Sequence, residues 1–344
     1  MDREIAAPSD AGLAAVVPAR WRGTLLVIVL TMTASEVGIG SLVGGRYHID
    51  GTIGVGGMGR VYVARDRMAG DDVALKVLRA DVCDDALTRR RFVREAKLLH
   101  RLRSEHVVGL RDFGFHERYP FLVMDLLEGT DLGELLDVEG ELPAAEAIAV
   151  ARHLCAALAV VHQAGAVHRD LKPENVVIVA DAATARPKLK LIDFGVATDG
   201  DSDQTITNAE TMVGTAVYMA PEQIRDPHLV DGRADVWAIG VMLYEMVTGE
   251  QPFTIRRSIA QLVKDVLEGE PTPPSAMAPI GSALEAVILK CLAKDPAERY
   301  DDVGQLDEEL APLAVAGGDL PAPRHSGVMV ARGSTMPAPS SRVA

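Results

Sequence analysis

The sequence predicts an α+β chain with a β-rich first part carrying one helix and a larger helical remainder. Short strand-like apolar runs dominate as far as Met124. Long alanine- and valine-rich stretches with helix-end signals follow from Pro143. At 344 residues and 48% hydrophobic content, the chain can bury the core of one large domain or two lobes.

Composition narrows the function classes. Aromatic residues are only 4%, so aliphatic side chains must fill the core. Forty-nine acidic residues against 35 basic give a net charge of −14, which disfavours a nucleic-acid surface because that needs a basic stripe. Cys83, Cys155 and Cys291 lie far apart without metal spacing, which fits buried thiols in a reducing, cytoplasmic setting.

Residues 1–45 read as an extension. Thr24 to Met32 is apolar, but stretching it to Val43 takes in Glu36 and several Gly and Ser residues. A spanning helix needs about 20 mostly apolar residues. Asp2, Glu4 and Asp10 make a poor signal-peptide start. A disordered leader or a small appended strand is expected over a membrane anchor through 24–43.

Arg46 to Ile53 begins a strand, and Val61 to Ala64 continues as one. Between them, Gly54-Val55-Gly56-Gly57-Met58-Gly59 leaves the backbone free of β-carbons, able to approach phosphates and present N–H groups. A strand follows these glycines where a dinucleotide-binding fold would start a helix. Asp72 to Leu78 is a strand with Lys76 among apolar neighbours. Leu87 to Leu102 is an amphipathic helix, with Phe92, Ala96, Leu99 and Leu102 at helical spacing and Arg89, Arg90, Arg91 and Arg94 on the same segment. Phe121 to Met124 is a buried strand, and Asp125 to Gly129 is its exit.

Pro143 to His162 is a long helix ending at Gly165. His168-Arg169-Asp170-Leu171-Lys172-Pro173-Glu174-Asn175 follows, and Pro173 makes it a loop. A carboxylate, an ammonium and a carboxamide fall within this run. Asp170 can accept a proton from an attacking hydroxyl, Lys172 can neutralise a moving phosphoryl group, and Asn175 can hold a divalent cation. Val176 to Val179 and Lys188 to Ile192 form a hairpin that leads to Asp193-Phe194-Gly195. Asp193 stands at a strand end, placed to chelate a cation. Val196 to Val213 is polar and rich in Asp and Thr, and so is expected to be mobile. Ala220-Pro221-Glu222 closes it. Asp235 opens an apolar helix reaching Val247, Gly269 to Pro279 is a proline-rich connection, and Leu284 to Leu292 and Val303 to Leu310 are the last helices. Residues 312–344 are rich in Pro, Ala, Gly and Ser and are expected to be disordered.

In this order, from Ile53 to Arg299, the glycine loop, the strand lysine, the His168–Asn175 run, Asp193-Phe194-Gly195 and Ala220-Pro221-Glu222 resemble the protein kinases. More narrowly they resemble the bacterial serine/threonine kinases of eukaryotic type. The resemblance implies a two-lobed protein kinase fold over 46–311, with a small β-rich lobe (46–124), a hinge (125–130) and a helical lobe (131–311). It implies ATP and Mg²⁺ as cofactors, with Mn²⁺ as a substitute, and proteins with Ser/Thr hydroxyls as substrates. Lys172 after Leu171 resembles the serine/threonine class more than the tyrosine class. Catalysis falls to Asp170, Lys172, Lys76 and Asn175, and metal binding to Asn175 and Asp193.

By the same resemblance, Lys76 points to the α- and β-phosphates and pairs with Glu95. The nucleotide lies among Ile53, Gly54, Val55, Gly56, Gly57, Met58, Gly59, Val61, Ala74, Met124 and Val177. Backbone at Asp125 and Leu127 bonds the adenine edge, and Asp131 lies near the ribose. Leu99 and Leu110 form an apolar column with His168 and Phe194. Thr205, Thr207 and Thr211 are candidate phosphoacceptors, Thr207 the favoured one and Ser202 a weaker one, with Arg169 as phosphate receptor. Thr215 belongs to the substrate platform. Glu222 and Arg299 form a buried ion pair, and Asp235 caps the catalytic-loop backbone. The alternatives are a pseudokinase scaffold, opposed by the complete set Lys76, Asp170, Asn175 and Asp193, and a small-molecule phosphotransferase, which would lack the platform from Gly214 to Glu222. Dimerisation is not legible.

Overall fold

The β-rich part of the chain forms one antiparallel sheet. Its strands are β1 (Leu42–Val43), β2 (Tyr47–Gly56), β3 (Gly59–Asp66), β4 (Asp72–Leu78), β5 (Leu110–His116) and β6 (Tyr119–Asp125), in the order β1-β2-β3-β4-β6-β5. The computed structural model describes residues 37–329 except 57–58, 84, 182–185, 194–215, 255–257, 315–317 and 324–326. Residues from Val37 onward belong to one unit.

Both faces of this sheet are buried, which explains why β4 is apolar almost throughout. On one face Val73, Leu75 and Val77 pack with Ile49, Tyr62 and Val123. On the other, Ala74 packs with Val61, Leu122 and Met124, and with Phe92, Ala96 and Leu99 of helix α1 (Ala86–Arg101). Asp85 starts that helix by accepting the N–H groups of Leu87 and Thr88 at 2.6 and 3.0 Å. The small lobe begins earlier than the expected residue 46. Leu42–Val43 pairs with β2, Val43 is buried, and the Tyr62 hydroxyl donates to the Val37 carbonyl at 2.8 Å. The expected appended strand is therefore the form taken by 42–43, while Thr24 to Met32 lies outside the described residues.

The large lobe contains α2 (Leu132–Glu139), α3 (Ala144–Gln163), α4 (Pro221–Arg225), α5 (Arg233–Thr248), α6 (Ile259–Glu268), α7 (Ser282–Cys291) and α8 (Val303–Leu310). Helix α3 is long and apolar enough to cross a membrane, but its Leu154, Leu158 and Val161 pack in the large-lobe core. Helix α5 is apolar all round because it is buried all round. A second sheet, β10-β7-β8-β9, joins β7 (Leu127–Asp131), β8 (Val176–Ala180), β9 (Pro187–Leu191) and β10 (Gly327–Met329). Its hairpin β8–β9 carries the ends of the loops that flank the cleft.

The stretch 312–344, expected to lack order, contributes two built pieces. Leu320 is buried in the large-lobe core, and β10 pairs with β7. The composition of this stretch is that of a linker, and only its contacts give these two pieces structure.

Leu158, fully buried on α3, anchors the large lobe. Leu158→Ala is expected to lower unfolding free energy by about 2–5 kcal/mol with an unchanged urea m-value. A loss below about 1 kcal/mol in urea titration would contradict that placement.

Candidate active site

The loop from His168 to Asn175 connects α3 to β8, and Pro173 limits its helical content to a single turn, Pro173–Asn175. Arg169 within it adopts a positive φ of 63°, and Asp193 after β9 has φ 58°. A non-glycine residue in this region costs about 1–3 kcal/mol and persists only where its surroundings hold it. For Arg169 those surroundings are explicit. Asp235, 1% exposed at the start of α5, accepts the N–H of His168 at 3.0 Å on one carboxylate oxygen. Its other oxygen accepts the N–H of Arg169 at 3.1 Å. His162 Nε2 lies 2.7 Å from the same carboxylate, and the Gln223 side-chain amide donates to the Arg169 carbonyl at 2.8 Å.

This clamp fixes Asp170 beside its partners. Lys172 Nζ donates to the two Asp170 oxygens at 3.3 and 3.1 Å. Asn175 Nδ2 donates to the Asp170 carbonyl at 2.6 Å. Burial pulls the Lys172 ammonium pKa down, but Asp170, Glu174 and Asp193 outweigh it and hold the group above its ordinary value. Asp193 is ion-paired with Lys76 of β4. Burial pushes the Asp193 carboxyl up, yet Lys76 and Lys172 prevail and its pKa falls below the usual range. The structure thus brings the Lys76–Asp193 pair near the Asp170–Lys172–Asn175 cluster, the two linked by the attraction between Lys172 and Asp193.

The expected nucleotide lining also converges. Val61, Ala74, Met124, Leu127 and Val177 belong to one apolar cluster, with Ile53 packed against it. Gly54, Val55 and Gly56 lie in β2, and Gly56 pairs with Gly59 of β3. A Cβ on Gly59 would sit 2.2 Å from the Val77 carbonyl, so only glycine lets β3 approach β4 there. Asp125 donates its N–H to the Gly109 carbonyl at 3.0 Å.

One expectation is corrected. Glu95 does not pair with Lys76, whose ammonium is engaged by Asp193. Half-buried Glu95 instead has its pKa raised by burial, against the pull of Arg94, Arg169 and Arg91. Asp131 is buried and accepts the N–H of Glu134 at 2.7 Å, which starts α2. Leu99 and Leu110 share one cluster, but Phe194, their expected companion, lies outside the described residues. The same holds for Gly57, Met58, Ser202, Thr205, Thr207, Thr211 and Thr215.

Glu222 and Arg299 pair as expected, bidentately at 2.7 and 2.8 Å, with the Arg299 side chain fully buried. Sequence reasoning missed His162, Gln223 and a buried triad beneath the segment before Ala220. There the Tyr218 hydroxyl donates to Glu245 at 2.6 Å, and Gln251 donates to both Glu245 and Tyr218 at 3.0 and 3.1 Å. Gln223 has a local signal, since it stands three residues after Ala220 and accepts that residue's N–H at 2.9 Å. His162 and Glu245 sit on helices at spacings that read only as helix, and they carry none.

Comparison with known proteins agrees with this geometry. The sequence profile described as "Protein kinase domain" matches residues 47–307. The serine/threonine-protein kinase PknB of Mycobacterium tuberculosis (strain H37Rv) is 38% identical over 282 residues, covering 80% of this chain and 44% of that protein. PknB of Mycolicibacterium smegmatis is 37% identical with the same coverage. This chain thus spans less than half the length of these relatives. Among solved structures, the Mycobacterium tuberculosis PknI kinase domain superposes with a TM-score of 0.64 at 27% identity, covering 80% of this chain and 99% of that one. Rad53 residues 1–466 in complex with AMP-PNP gives 0.63 at 26% identity, covering 78% and 66%.

Burial raises the Glu245 carboxyl to about 7, opposed by the Tyr218 and Gln251 hydrogen bonds. A carboxyl raised on folding stays protonated in the native state where the unfolded chain has already ionised. Stability is therefore expected to fall as pH rises from about 4.5 to 7, by at most about 1.4 kcal/mol per pH unit. Urea titrations of wild type and Glu245→Gln across that window test this, with the slope reduced in the variant. Equal slopes would contradict the assignment.

Proposed function

Because the chain belongs to the protein kinase family, we propose that it transfers the γ-phosphoryl group of ATP to serine or threonine hydroxyls of proteins. The observation that carries this is the Lys76–Asp193 pair drawn, through the charge of Lys172, to the Asp170–Lys172–Asn175 cluster. Relatives named as serine/threonine kinases and the AMP-PNP held by the related Rad53 structure support the substrate class and the nucleotide.

The residues fit a magnesium ion. Asp193 offers a carboxylate already paired with a cation, and Asn175 offers a carbonyl oxygen. Among the described residues no three His, Cys, Asp or Glu form a closed metal cage, in keeping with an ion that takes one or two protein oxygens and completes its shell with phosphate and water. When bound, magnesium neutralises charge on the β- and γ-phosphates.

The chain's own groups do the rest. Asp170, oriented by Lys172 and Asn175, accepts the hydroxyl proton of the substrate. Lys172 offsets the negative charge of the moving phosphoryl group. The Lys76–Asp193 pair is a resting arrangement: Lys76 leaves Asp193 for the α- and β-phosphates, and Glu95 then becomes its carboxylate partner. Phosphorylation between Ser202 and Thr211, with Thr207 favoured, would draw Arg169 towards the new phosphate and away from Glu95. The three free, buried cysteines support work in a reducing cytoplasm.

Labelled-ATP transfer to a protein acceptor tests the reading. Asp170→Ala is expected to lower kcat by about 10²- to 10⁴-fold while melting remains cooperative. Near-normal turnover by the purified variant would remove Asp170 from its role.

A further inference from the structure

Strand β7 is sandwiched between two others. Its ladder with β8 covers Gly129 to Asp131, whereas its ladder with β10 covers Leu127 to Gly129. The β8 ladder stops at Gly129, so the Cα partner of Leu127 within this sheet is Met329 of the tail. Leu127 also belongs to the apolar cluster that contains Ala74, Met124 and Val177. The tail strand thus pairs with the same stretch of backbone that the ATP reading gives to adenine.

Two physical limits follow. Paired strands lie about 4.8 Å apart, which leaves no room for a planar base between them. A main-chain N–H or C=O at Leu127 also points to one edge only, so one group cannot serve two partners there.

The tail is held close to this position. Leu320 is buried in the large-lobe core only a few residues before Gly327. A short tether of this kind raises the local concentration of the strand to about the millimolar range. A ladder of this length is marginal by itself, so the tether makes it form without making it permanent.

We propose that residues 327–329 are a built-in competitor of the nucleotide, a strand that occupies the hinge backbone at Leu127–Gly129 and leaves when ATP binds. The inference rests on the ATP reading. Linkage makes the effect reciprocal: nucleotide releases the tail to the extent that the tail weakens nucleotide binding.

The test uses the full chain and two single variants, Val328→Pro and Met329→Pro. Of two adjacent strand residues one turns its N–H towards β7, so one of these variants removes a ladder donor. Amide exchange at 327–329 and the Kd for ATP with Mg²⁺ are read together. The expected result is protection of 327–329 without nucleotide, its loss on adding ATP, and ATP binding about 5-fold tighter or more in at least one variant. Tail amides that exchange freely without nucleotide overturn the inference. So does ATP binding that leaves tail protection and variant affinity unchanged, while the kinase reading stands. No ATP binding by wild type or either variant sinks both readings together.

Discussion

The Asp235 carboxylate holds the site together. Buried at the start of α5, it accepts two consecutive backbone N–H groups, those of His168 and Arg169, and meets His162. A buried carboxylate without partners would cost several kcal/mol, so the same contacts that place the loop make the burial tolerable. Arg169 is thereby kept at positive φ, and Asp170 is delivered to the cleft instead of to the core. Helix α5 is in turn fixed by apolar packing on nearly every face. A helix buried along nearly its whole length therefore sets the position of the loop that carries Asp170.

Electrostatics then divide the work. Two ammonium groups, Lys76 and Lys172, face two carboxylates, Asp193 and Asp170. Burial alone would push the Asp193 carboxyl up, and the ammonium groups reverse that, keeping it ionised and ready for a cation. The small lobe contributes Lys76 from a strand buried on both faces, which fixes its backbone and leaves its flexible side chain free to change partner. The tail strand on β7 suggests that occupancy of the hinge is contested by the chain itself.

Much of this was legible in the sequence because local chemistry dictated it. Strand Asp72–Leu78 and helix Val303–Leu310 form as their patterns require, and Pro173 breaks the loop. The order of signatures pointed to Lys76, Asp170, Asn175 and Asp193 as neighbours, which the ion pair and hydrogen bonds among them and Lys172 match, and to Glu222 with Arg299. What failed was choice among equals. The sequence offers Lys76 a carboxylate at 95 and another at 193, and spacing does not say that the ammonium takes the one at 193. Asp131 also caps α2, a second task that its place near the ribose in the sequence reading did not include. His162, Glu245 and strand β10 depend on contacts between segments far apart in sequence, and their own neighbourhoods resemble plain helix and linker.

The most direct measurement is steady-state phosphoryl transfer by Asp235→Asn, compared with wild type at equal melting temperature. An amide has one acceptor oxygen where the carboxylate has two, and it turns N–H donors against the loop's own donors. The loop is then misplaced, and kcat should fall about 10²-fold while KM for ATP changes little. An unchanged kcat in the folded variant would show that Asp170 is positioned by something other than this carboxylate.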